Sequence, residues 1–204
     1  MTITKSENIY LLGAFVVLLL TTPMIVSKFK AFTYQTRVVA VPQETSDVQL
    51  VNSSFYVSDT PSPDGKAGLN MKLESKDNLK TYEVTTQSGF KFEKKLTEPD
   101  KITIPFNTWS PGNKYLFLEE TLGNSKNYYV FAANGAKIRN MEYVDLTSEF
   151  GKKLSQDFEL TDVTGWAGSS LLIVNTNKKD GSLGPSFWFD ITNSGFIRLS
   201  QRFN

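Results

Sequence analysis

Residues 109–135 read WSPGNKYLFLEETLGNSKNYYVFAANG: two apolar runs joined by a polar loop and closed by Asn134-Gly135. The stretch has company. PSPDGKAGLNMKLESKDNLKTYEVTTQSGFKF precedes it, and WAGSSLLIVNTNKKDGSLGPSFWFDITNSGFIRL follows it. Each unit has a tight turn, an apolar strand, a polar Asn/Lys-rich loop, a second aromatic strand, and a Ser-Gly or Asn-Gly turn before a third strand. The period is two rather than 3.6: Leu69, Met71 and Leu73 alternate with Asn70, Lys72 and Glu74, the signature of a half-buried strand. TYEVTT and FKFEKKL continue it, with Tyr82, Val84, Phe90 and Phe92 on one side. The closing glycines Gly89, Gly135 and Gly195 lie 46 and 60 residues apart. Such spacings fit one four-stranded antiparallel meander per unit, as in a propeller blade. One short helix is expected, around TSEFGKKLSQ, with Thr147 or Ser148 as its cap and Gly151 weakening it.

The run Trp109-Ser110-Pro111-Gly112-Asn113-Lys114, then YLFL, then NYYVFAANG, resembles the TolB-type, WD-like β-propeller repeat. In words, that repeat is Trp-Ser-Pro-Asp-Gly-Lys, an apolar strand, a loop, and a strand ending in Asp-Gly or Asn-Gly. Ser62-Pro63-Asp64-Gly65-Lys66 matches its turn more closely. Two departures stand out. Pro61 occupies the Trp position of the first unit, and the third keeps Trp166 but replaces the turn with Ala167-Gly168-Ser169-Ser170. The resemblance covers roughly residues 56–200 and implies an all-β fold, an antiparallel meander of propeller-blade-like repeats. Three repeats are fewer than the roughly four to eight that close a ring. Self-association, a fourth blade built with TRVVAV and DVQLVNSSFYV, or an edge left for a partner strand would each cover the open edges.

Composition narrows the chemistry. The 204 residues contain no His and no Cys, which removes imidazole bases, Ser-His-Asp triads, thiolate nucleophiles, disulfides and the usual zinc sites. Aromatic residues make up 13% of the chain and charged residues 21%, enough apolar material to fold a core. The net charge is +1; setting aside Lys5, Lys28, Lys30 and Glu7 leaves 19 basic against 20 acidic residues. That balance gives no basic footprint for nucleic acid.

Ile9 to Val26, IYLLGAFVVLLLTTPMIV, is 18 residues without a charge. As a helix it is roughly 27 Å long, close to the hydrocarbon thickness of a bilayer. It is read as an uncleaved signal anchor, with the lipid bilayer as partner through residues 9–26. The expected organisation is therefore 1–30 a transmembrane helix with flanks, 31–55 an extended connector, and 56–204 the three-repeat domain. Lys28, Lys30 and Arg37 after the segment outnumber Lys5 before it, which taken literally keeps the domain cytoplasmic. The expectation is nonetheless a single-pass membrane protein with an extracytoplasmic domain, at the periplasm or cell surface, because an N-terminal anchor ahead of a long domain follows the charge rule loosely.

No catalytic, cofactor-binding or metal-ligating set emerges. Ser182 and Ser186 lack a base, and Asp64 and Asp180 open Asp-Gly turns without further carboxylates at calcium-loop spacing. Glu119 and Glu120 point to opposite faces of a strand. Gly65, Gly89, Gly135 and Gly195 read as turn residues able to take φ > 0 rather than phosphate cradles. Trp109 and Trp166 read as packing between sheets. Asn52-Ser53-Ser54 is a glycosylation sequon only in a eukaryotic secretory context. The candidate partner contacts are three polar loops between equivalent strands: Lys76, Asp77 and Asn78; Asn124, Ser125 and Lys126; Lys178, Lys179 and Asp180. The expected function is a non-catalytic interaction module of a cell-envelope assembly, with a protein partner or self-association. The alternatives are a structural packing subunit of a membrane complex and a glycan-active propeller enzyme.

Overall fold

The computed structural model describes residues 53–203, which fall within one compact unit. The expected membrane segment, and the connector up to residue 52 with its strand TRVVAV, lie outside the described residues. Among those described, no helix is long and apolar enough to cross a membrane.

The described chain is mostly strand, arranged as three four-stranded antiparallel sheets. The first holds β1 (Ser53–Pro61), β2 (Gly68–Lys76), β3 (Leu79–Thr86) and β4 (Lys91–Thr97). The second holds β5 (Lys101–Thr103), β6 (Tyr115–Leu122), β7 (Ser125–Ala132) and β8 (Val144–Asp145). The third holds β9 (Phe158–Trp166), β10 (Leu171–Lys178), β11 (Leu183–Asp190) and β12 (Gly195–Arg198). Strands neighbour one another in chain order in every sheet, so each is a meander built from local hairpins. β1 takes in Ser53 to Val57 of NSSFYV, a stretch assigned above to the connector or to a fourth blade.

Alternation in the sequence becomes two-sided burial in the middle sheet. Leu116, Leu118, Tyr129 and Phe131 pack on the first sheet with Leu69, Met71, Tyr82 and Val84. Tyr115, Phe117, Tyr128 and Val130, the intervening residues, pack on the third with Leu172, Val174, Phe187 and Phe189. This explains why YLFL and YYVFA are continuously apolar whereas the first sheet's strands alternate: among the described residues, only the second sheet is covered on both sides. Each fully buried Leu or Phe there contributes about 1.5–3 kcal/mol.

Trp109 and Trp166 sit between sheets, and each also makes a specific bond. The Trp109 indole donates to the Thr60 carbonyl at 3.2 Å, and the Trp166 indole to the Thr108 carbonyl at 3.1 Å. Thr60 and Thr108 each stand two residues before the turn serines Ser62 and Ser110, so the same contact recurs at both interfaces.

The fourth strand of the second sheet is only two residues long, and α1 (Leu146–Lys153) follows it directly. Its cap is Asp145, whose carboxylate accepts from Ser148 N at 2.8 Å, not Thr147 or Ser148 as the sequence suggested. Thr147 is used otherwise: its hydroxyl accepts from Tyr128 N at 3.0 Å, supplying an acceptor the short strand does not reach. A second correction concerns the turns. Gly65, Gly89 and Gly135 have positive φ, but in the third repeat Ser194 takes the left-handed position (φ 56) and Gly195 begins β12.

Candidate partner-contact rim

The three polar loops are tight turns between the second and third strands of their sheets. Lys76 pairs with Leu79, leaving Asp77 (φ 55) and Asn78 as the turn residues. Leu122 pairs with Ser125 around Gly123 (φ 57) and Asn124. The third is wider: Lys178 N donates to the Ser182 carbonyl at 2.8 Å and Gly181 N to the Lys178 carbonyl at 2.9 Å. Much of the sequence read as loop is therefore strand, because polar residues on a solvated sheet face look like loop in one dimension.

Two of the three turns line one cleft of about 640 Å³. Asn124, Ser125 and Lys126 contribute from the second sheet and Lys179 from the third, with Glu159 on β9 and Phe150 and Gly151 on α1. Lys126 Nζ lies 3.0 Å from Glu119 and Lys179 Nζ 3.5 Å from Glu159. Both lysines are about half exposed, so the two pairs bias side-chain position without fixing it. Lys178 and Asp180 flank Lys179 without lining the cleft, and Lys76, Asp77 and Asn78 do not line it either. Asp180 Oδ1 accepts from both the hydroxyl and the backbone N of Ser182, and these bonds hold its carboxyl below the usual range. The arrangement can form hydrogen bonds and ion pairs with a polar partner.

The serines set aside above have structural partners. Ser182 Oγ donates to Asp180, and Ser186 Oγ donates to Asn175 Oδ1 at 2.5 Å while accepting from Phe203 N. Asp64 links two turns: it accepts from Asn113 Nδ2 and Ser62 Oγ at 2.7 Å and from Lys66 N at 3.1 Å. Those bonds, Asn113's first, lower its pKa to about 2.

One ionic group was not foreseen. Glu119, its side chain largely covered, pairs with Lys126, while Glu120 is fully buried on the opposite strand face. Glu120 Oε1 meets Lys94 Nζ at 2.5 Å across the first interface, and Oε2 accepts from Tyr129 Oη at 2.5 Å and Asn127 Nδ2 at 3.2 Å. Burial raises the Glu120 carboxyl, but the bonds from Lys94, Tyr129 and Asn127 outweigh it and leave it below the ordinary value. Tyr129 is pushed up to about 12, first by burial and then by its bond to Glu120. Lys94 and Tyr129 open onto an aromatic cleft of about 590 Å³ with Phe92, Phe131 and Tyr143. Nothing in the strand containing Glu120 names a partner 26 residues away in another sheet.

A scan of family models, a search of curated proteins and a search of solved structures each return no match for this chain.

Proposed function

We propose that this chain is a membrane-anchored, extracytoplasmic, propeller-like interaction module, a non-catalytic subunit of a cell-envelope assembly. The observation that carries the reading is the rim cleft, where turns from two sheets present amides, a hydroxyl and two solvated lysines in one concave surface. Three serial four-stranded meanders and the recurring Trp-to-carbonyl bond support the propeller-like description. The charge-free run at residues 9–26 supports the anchor. In this reading the anchor confines the domain near the bilayer, and the rim meets a protein partner.

Two measurements test it in the native host. A single cysteine at Lys179, in a chain that has none, reports sidedness: labelling of intact cells by an outer-membrane-permeant, inner-membrane-impermeant maleimide is expected, and protection until lysis rejects the extracytoplasmic placement. Photo-crosslinking from Ser125 should trap a defined partner, and alanine at Asn124, Lys126 and Lys179 together should abolish that adduct. An unchanged adduct rejects the rim as the contact surface.

A further inference from the structure

Glu120 holds together two nitrogens that come from different sheets. Its Oε1 stands 2.5 Å from Lys94 Nζ, and its Oε2 accepts from Asn127 Nδ2 at 3.2 Å. Register places them there: Glu120 and Asn127 are cross-strand partners on β6 and β7, and Lys94 reaches them from β4 of the first sheet. Glu120 is fully buried, and Phe92, Tyr129, Phe131 and Tyr143 wall the cleft that Lys94 lines. Amide formation between two side chains needs a nucleophilic nitrogen, an acyl group with a nitrogen that can leave, and a proton carrier between them. Lys94, Asn127 and Glu120 supply one of each.

We propose that Lys94 and Asn127 are the reacting pair of a self-catalysed isopeptide bond, with Glu120 relaying protons between them. Glu120 Oε1 takes a proton from the Lys94 ammonium, and the freed amine attacks Asn127 Cγ. The Nζ–Cγ bond forms and the Cγ–Nδ2 bond breaks. Of the three hydrogens on Nζ, one stays in the new amide, one passes through Glu120 to Nδ2, and one is released. Asn127 Nδ2 leaves as ammonia, nothing is oxidised or reduced, and Glu120 ends as the carboxylate it was. Glu120 is not itself the acyl partner, because an ionised carboxylate has no leaving group. The product would tie the first sheet to the second in a chain that has no cysteine for a disulfide.

The freshly folded chain holds the ion pair, and the amide accumulates from it slowly. Burial works against the charge on Lys94, but its bonds to Glu120 and Tyr129 outweigh it and hold its pKa above the usual value. The free amine is therefore scarce at neutral pH, and its share rises about tenfold per pH unit towards that value while Glu120 remains a carboxylate base. The other ionisable groups around the cleft, Lys91, Glu93, Lys137, Glu142 and Tyr143, stand at its exposed margin. Linkage should accordingly be faster in mild alkali than at neutrality.

The test is the mass of the full chain in non-ionic detergent, followed over weeks at about pH 9. The expected result is loss of one ammonia, with the tryptic peptides containing Lys94 and Asn127 recovered as one joined species. Trypsin cuts at Lys126, between Glu120 and Asn127, so the joined peptide identifies the acyl partner. Lys94→Arg, which keeps a cation beside the carboxylate, and Asn127→Ala should yield no joined peptide, and Glu120→Gln should slow its appearance about tenfold or more. Asn134-Gly135 can also shed ammonia by closing a succinimide, but that joins no peptides and persists in Lys94→Arg. An unchanged mass overturns the proposal. Ammonia loss without the joined peptide overturns it too, as does a link from Lys94 to Glu120 with loss of water.

Discussion

Glu120 and Lys94 show what a single buried ion pair commits the chain to. Lys94→Ala leaves a fully buried carboxylate without its cation and should destabilise the domain by about 3 kcal/mol, the lower end for such a loss because Lys94 is partly open to water. Urea denaturation measures this, and Glu120→Gln, which removes the charge itself, should cost less. The pH dependence has a definite sign. Glu120 is depressed in the fold, so its stabilisation is present above the ordinary carboxyl value of 4.5 and is lost as pH falls through the lowered value. Lys94 and Tyr129 are raised, so their contributions hold below 10.5 and 10.0 and are lost as pH rises beyond those values. Melting temperature should therefore fall at both extremes, and Glu120→Gln should flatten the acid limb. Backbone demands are equally local. Gly135 (φ 74) lies so close to Gly89 that an added Cβ would stand 2.8 Å from its carbonyl oxygen, whereas Gly112 (φ 80) has open space. Both substitutions to Ala carry the left-handed penalty of about 1–2 kcal/mol, and Gly135→Ala should cost measurably more in the same denaturation series. At this scale the sequence was partly legible. Glycine at 65, 89 and 135 announced positive φ, but Ser194 rather than Gly195 takes it in the third repeat, because Asn193 Oδ1 binds Gly195 N and tightens that turn by one residue.

Among the elements, alternation was the most readable signal and termination the least. Leu69, Met71 and Leu73 announced their strand, since one face is buried and the other wet. The end of the second sheet was not announced: β8 stops after two residues because Asp145 caps a helix, and the preceding MEYVDL carries no strand periodicity to read. The Trp bonds were half-legible. Large aromatics between sheets are expected from composition, but an indole donor aimed at one carbonyl depends on register. Trp109→Phe and Trp166→Phe keep most of the ring packing and lose that bond, so each should cost about 1 kcal/mol. The Thr108 carbonyl that Trp166 binds belongs to the peptide bond to Trp109, so the two sites are coupled and the double variant should depart from additivity in denaturant unfolding.

For the molecule as a whole, three serial meanders could be read from the repeat spacing, and the rim only in outline. The sequence put three loops on one face; the structure brings two of their turns into a common cleft, because α1 and β9 wall it between the second and third sheets. The tail offers a test at this scale: deleting residues 202–204 removes the Arg202 and Phe203 bonds, and amide exchange at Thr176 and Ser186 should accelerate while the first sheet is unaffected. The Trp bonds also have a direction. In both, the donor belongs to the later sheet and the acceptor to the earlier one. A nascent chain leaving the ribosome can finish each sheet from neighbouring strands alone, and each new sheet carries the group that fastens it to the one already made. Assembly in the order of synthesis is the expected outcome, with the first sheet gaining protease resistance on ribosome-bound chains before the third has been translated.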